Sequence, residues 1–114
     1  SRSSVLFKQF IDLLTSLEVK PRNLNYYSSK LCITSKYLSN ICKENSGKTA
    51  YDWIIEYAIE DINRLLSHSD MSIKEIANYL DFPNLSFFGK FVKAHLGCSP
   101  TEFRRLKGKQ QDLE

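Results

Sequence analysis

Apolar positions in this chain fall at helical spacing, and the spacing is used twice. Val5, Leu6, Phe7, Phe10, Ile11, Leu13, Leu14 and Leu17 recur every few residues and predict an amphipathic helix over roughly residues 4–18, ended by Val19-Lys20-Pro21. Downstream, Leu24, Tyr27, Leu31, Ile33, Leu38, Ile41, Cys42, Lys43, Gly47, Thr49 and Trp53 return as Ile73, Ile76, Leu80, Phe82, Phe88, Phe91, Val92, Lys93, Gly97, Ser99 and Phe103. The offset is 49 up to the Ile33/Phe82 pair and 50 from Leu38/Phe88 onward, so one residue is added in the connection between two matching segments. Each copy reads as short helix, tight turn and second helix.

In the first copy the short helix covers 24–31, Cys32-Ile33-Thr34 makes the turn, and Thr34 caps a helix from Ser35 to about Asn45 that stops at Gly47. Thr49, with Asp52 three residues on, starts a long helix to about Ser67 whose Trp53, Ile54, Tyr57, Ala58, Ile62, Leu65 and Leu66 keep helical spacing. The second copy opens on Ser72-Ile73-Lys74-Glu75, a capping box, and its short helix runs to Leu80. Asp81-Phe82-Pro83 makes the turn, Asn84 caps a helix to about Leu96, and Ser99-Pro100-Thr101-Glu102 starts the last one. Nothing alternates with strand period. The expected fold is all-α with about seven helices: two helix-turn-helix units, 22–50 and 72–106, joined by a long central helix at 51–68. The whole, 1–114, is expected to form one domain, with a tail that frays from Gly108.

Composition adds a core and removes several classes. At 114 residues with 42% hydrophobic and 12% aromatic positions, the chain can bury a real interior. Charge interrupts every apolar run and no leader is visible, so neither a membrane span nor a signal peptide is expected. Cys32, Cys42 and Cys98 form no CxxC pair and are odd in number, which fits a reducing cytoplasm and small buried side chains. His68 and His95 lack ligand-spaced partners, and no nucleophile with base, paired carboxylates or phosphate-cradling loop appears; no cofactor, metal or catalysis is expected. A net charge of +3 permits a polyanion without requiring one. The chain opens Ser-Arg-Ser-Ser, and a partner domain beyond it is expected.

A helix-turn-helix reads DNA because its first helix braces a second whose outer N-terminal side enters the major groove. With Leu38, Ile41 and Cys42 inward, the second helix of the first copy leaves Ser35, Lys36, Ser39, Asn40 and Lys43 outside. Asn40 can bond adenine in two places, Lys36 can donate to guanine O6 and N7, and Ser39 suits several bases. In the second copy, inward Phe88, Phe91 and Val92 leave Leu85, Ser86, Gly89, Lys90 and Lys93 outside. Leu85 can pack on a thymine methyl group, and a mid-helix Gly89 points to a close approach by DNA or a neighbouring helix. Backbone contacts are assigned to Ser35, Tyr37, Lys43, Asn84, Lys93 and Arg104; Arg104, Arg105 and Lys107 also read as a solvated basic tail. Phe87 is expected in the core, with the sugar-phosphate wall as the alternative, and Tyr26, Tyr27, Tyr51, Trp53, Tyr57 and Tyr79 are expected to pack inside rather than form a base-stacking platform.

Ile76-Ala77-x-x-Leu80-x-Phe82, then Phe88-x-x-x-Val92-Lys93, then Gly97-x-Ser99-Pro100-x-Glu102-Phe103-Arg104 resembles the signature of the AraC/XylS regulators' DNA-binding domain. Tyr37-Leu38-Ser39, Lys43, Gly47 and Leu65-Leu66 are similar to that family's first motif, and the likeness covers roughly residues 22–106. The resemblance implies homeodomain-like units in successive major grooves of one DNA face, C-terminal to a sensing or oligomerisation domain. It places the family's base-reading positions on Lys36, Ser39, Asn40, Leu85, Ser86, Gly89 and Lys90. Cys32 and Asp81 stand where each turn commonly has glycine, so the first turn is expected to be strained or differently shaped. Lys90 stands where arginine is common and lacks its two-pronged geometry.

The resulting expectation is a bacterial regulator domain that binds double-stranded DNA at an asymmetric site. The fragment is expected to be monomeric, with RNA polymerase as a partner of the intact protein. The alternatives are a helical protein-interaction module, or a DNA binder in which one motif alone reads bases.

Overall fold

The computed structural model describes the backbone of residues 1–113 and the side chains of residues 1–108. Among the described residues there are seven helices and no strand: α1 (Arg2–Ser16), α2 (Leu24–Lys30), α3 (Ser35–Ser46), α4 (Ala50–His68), α5 (Ile73–Tyr79), α6 (Leu85–Leu96) and α7 (Pro100–Leu113). They divide into two compact units, Ser1–Ala58 and Ile59–Glu114, with the division inside α4. The helix count and class match the expectation. Two ends differ from it. Helix α1 starts at Arg2 because Ser1 and Ser4 form a capping box that satisfies the first amide groups. Helix α7 continues past Gly108 to Leu113, where Lys107, Lys109, Gln110 and Gln111 are good helix formers that offset one glycine.

In the first unit α1 lays Phe10 and Leu14 against Tyr27 of α2, Leu38 and Cys42 of α3, and Ala50 and Ile54 of α4. Phe10 meets Tyr27 edge-on with ring centres 5.6 Å apart. The Tyr27 hydroxyl donates to the Pro21 carbonyl at 2.6 Å, which gives its one buried polar atom a partner. Burial, with smaller contributions from Tyr26 against Arg22, holds that phenol above its ordinary range. Lys20, also buried, donates to the Leu17 carbonyl at 2.6 Å just past the end of α1. At the start of α4, Lys48 lies 3.6 Å from the Trp53 ring centre and pairs with Glu56.

In the second unit α5, α6 and α7 enclose Ile76, Ala77, Phe82, Phe88, Val92 and Phe103, with Ile62, Leu65 and Leu66 supplied by α4. Full burial of a Phe88- or Val92-sized side chain contributes about 1.5–3 kcal/mol. This apolar block is what holds α6 in place.

Five side chains depart from expectation. Tyr51 and Tyr79 are exposed, off the buried stripes of α4 and α5. Cys32 is exposed and Cys98 is half-buried, leaving Cys42 as the buried thiol. Phe87, expected inside, is 50% exposed, because the neighbouring Phe88 and Val92 take the inward direction. Burial pushes the Cys42 thiol up to about 12. Alkylation at pH 8 is therefore expected to modify Cys32 first and Cys42 only on unfolding; mass spectrometry of partly labelled protein reads the order.

Helix starts carry their own charges. Asp52 accepts from the Thr49 amide at 3.1 Å while Thr49 Oγ1 accepts from the Asp52 amide, and Glu75 and Ser72 repeat the exchange at α5. These backbone bonds, then the hydroxyl contacts, lower both carboxyl pKa values. A lowered folded-state pKa gives stability that is present above the ordinary carboxylate range and lost as pH falls through the folded value. Melting temperature should therefore fall below about pH 4, and Asp52→Asn with Glu75→Gln should flatten that acid limb.

Candidate nucleic-acid interface

Both turns that position the candidate reading helices have one geometry. In the first, the Leu31 amide donates to Tyr27 O at 3.0 Å, Cys32 to Ser29 O at 3.1 Å and Ile33 to Ser28 O at 3.0 Å. In the second, Leu80 donates to Ile76 O at 2.9 Å, Asp81 to Asn78 O at 3.1 Å and Phe82 to Ala77 O at 2.9 Å. This is the Schellman ending, whose residue beyond the cap takes left-handed backbone. Cys32 has φ 57° and Asp81 φ 63°. The first turn is thus strained as expected, yet it keeps the shape of the second. Cys32→Gly should raise stability by about 0.5–1 kcal/mol, whereas Cys32→Val should lower it by more than 1 kcal/mol; urea denaturation of the two variants measures both.

The next helices are capped alike. Thr34 Oγ1 accepts from the Tyr37 amide at 3.1 Å and Asn84 Oδ1 accepts from the Phe87 amide at 2.7 Å. Gly47 (φ 78°) and Gly97 (φ 88°) close them in left-handed backbone, donating to Lys43 O and Lys93 O. With Leu38, Ile41 and Cys42 buried, α3 leaves Lys36, Asn40 and Lys43 exposed and Ser39 half-buried. With Phe88 and Val92 buried, α6 leaves Leu85, Ser86, Lys90 and Lys93 exposed and Gly89 half-buried. Tyr37, also exposed, and Asn84, whose amide nitrogen carries two donors besides the capping oxygen, stand at the two helix starts.

The space over Gly89 is open. A Cβ built there meets no atom within 4 Å, so no neighbouring helix requires the glycine. Gly89→Ala should gain about 1 kcal/mol in helix stability. A thermal melt checks this, and a loss of stability would mean that the backbone there is not ordinary helix.

Two expected backbone contacts have other tasks. The Ser35 hydroxyl has one proton and gives it to Asn25 Oδ1 at 2.6 Å, with Ser28 Oγ 3.0 Å away. It has no second proton for a phosphate, which can only accept. The Arg104 guanidinium donates to Leu66 O at 2.9 Å, Met71 O at 2.6 Å, Leu65 O at 3.2 Å and Ser69 O at 3.4 Å. It satisfies carbonyls at the end of α4 and in the following connection, where helix geometry leaves acceptors without amides. Arg104 thus serves in this structure as a cap on those carbonyls. Arg105 is paired with Glu102, which raises its pKa further.

The pattern of a family described as a helix-turn-helix domain matches residues 27–106, most of the chain. The chain belongs to the AraC/XylS family. It is similar to the Msm operon regulatory protein of Streptococcus mutans, 28% identical over 82 residues that are 72% of this chain and 30% of that protein. The chain therefore spans under a third of that relative. Among solved structures, the C-terminal domain of AraT, a response regulator from Geobacillus stearothermophilus, superposes with TM-score 0.80 at 22% identity, covering 93% of this chain and 88% of that one. The DNA-binding domain of AdpA, a global transcriptional factor solved in complex with a target DNA, gives TM-score 0.78 at 17% identity, covering 95% and 97%. The AraC/XylS fold accounts for the doubled unit: this is a helix-turn-helix DNA-binding domain. Among the described residues no helix is long and apolar enough to cross a membrane.

Proposed function

We propose that the domain binds double-stranded DNA sequence-specifically, α3 and α6 each entering a major groove in successive turns of an asymmetric site. Lys36, Ser39 and Asn40 read bases from the first helix, and Leu85, Ser86, Gly89 and Lys90 from the second. Tyr37, Lys43, Asn84 and Lys93 hold the sugar-phosphate backbone. The observation that carries this reading is the contrast between two equally built helices and their outer faces. Caps, turns and buried stripes repeat from one copy to the next, while the outer side chains are chemically different. Two unlike faces select two unlike half-sites, about 34 Å apart along B-DNA. The target DNA bound to the AdpA domain supports the general mode.

The domain acts as the single reading unit, 1–114, of a longer bacterial regulator that works in the cytoplasm. This fragment is monomeric, and the intact protein contacts RNA polymerase. Titration of salt against binding to a mixed DNA fragment tests the class of function. Tight binding that weakens steeply with salt supports a DNA partner. No binding at low salt overturns it and leaves a protein-interaction module.

A further inference from the structure

We infer that the second unit reads the C5-methyl group of thymine, with Leu85 as the contacting knob and the space over Gly89 as its seat. The first unit has no such reader. This inference deepens the proposed DNA-reading function and rests on it.

The argument starts from corresponding positions in the two copies. Helices α3 and α6 are both 12 residues long, so Leu85 occupies the place of Ser35 and Gly89 that of Ser39. Ser35 is half-buried and tied to Asn25 and Ser28 of the brace helix. In the second unit the brace helix carries Lys74 and Ala77 at those two places, so the polar tie has no counterpart. Leu85 is instead 50% exposed at the first position of α6, beside the Asn84 cap that fixes its backbone. An apolar side chain held there gains nothing from water and has the right chemistry for a methyl group.

Gly89 lies one turn further along the same flank, and residues four apart on a helix are neighbours. A Cβ at Gly89 would meet nothing within 4 Å. Leu85 and Gly89 thus make a knob beside a gap, whereas Ser35 and Ser39 place hydroxyls along the equivalent line of α3. Thymine is the DNA base that carries a methyl group in the major groove.

The test uses the 114-residue chain and a duplex selected by it from a random pool. Each thymine of that duplex is replaced in turn by 2′-deoxyuridine, which removes the methyl group alone, and affinity is read by fluorescence anisotropy. The expected result is about a fourfold loss, the value of one buried methyl group, at one or two positions in one half of the site. Leu85→Ala should bind the thymine duplex about fourfold more weakly and no longer distinguish it from the uridine duplex. Gly89→Ala should shrink or invert it, because its own methyl group fills the gap. Sequence-specific binding that is indifferent to every uridine replacement overturns the methyl reading and leaves the DNA function standing. A uridine effect that survives Leu85→Ala overturns the assignment to this residue. Failure to select any duplex overturns both.

Discussion

Arg104→Ala is expected to destabilise the second unit by about 3 kcal/mol, the scale of a lost charge-assisted hydrogen-bond set. The guanidinium reaches four carbonyls, of Leu65, Leu66, Ser69 and Met71, and the Ser69 hydroxyl also donates to Leu65 O. Removing it leaves half-buried acceptors at the end of α4 without charged donors. It also removes the tie between α7 and the connection before α5. Arg104→Lys should recover less than half, since one ammonium cannot present a planar fork. Urea unfolding with an unchanged m value is the measurement. A loss below about 1 kcal/mol, accompanied by weaker DNA binding, would return Arg104 to the interface.

Asn40→Ala and Lys90→Ala are each expected to cost about 1–3 kcal/mol of DNA affinity and to relax preference at one base pair. Both side chains are exposed, on opposite copies, with the helices beneath them fixed by buried Leu38 and Cys42 or Phe88 and Val92. Their folds should therefore survive truncation. Lys43→Ala is the control: affinity should fall evenly across sequences and the salt slope should drop by about one. If Asn40→Ala behaves like Lys43→Ala, Asn40 is a backbone contact. Affinity measured on a panel of single-base variants separates the two outcomes.

What could be read in advance was local or periodic. The repeat was visible because Leu24 to Trp53 and Ile73 to Phe103 share an apolar skeleton, and a skeleton at helical spacing fixes which side is buried. Caps were visible because Thr34, Ser72 and Asn84 sit within three residues of the amides they satisfy. Arg104 was not legible, since its acceptors lie 33 to 39 residues away and only tertiary folding brings them together. The Ser35 tie to Asn25 depends on how two helices cross, which no spacing rule specifies. Phe87 was misplaced because the run Phe87-Phe88, with Phe91 close by, offers more apolar rings than one inward stripe accepts. Cys32 was misplaced because residue type favours burial, while its place in a left-handed turn sets it at the surface.

The central claim is that two chemically different helices read two half-sites. Selection of bound duplexes from a random pool by the 114-residue chain tests it most directly. The account predicts two conserved blocks of unlike sequence, with centres about one helical turn apart, and relaxed preference at one base pair of one block alone in Asn40→Ala or Lys90→Ala. A single conserved block, or two blocks forming a palindrome, would contradict it.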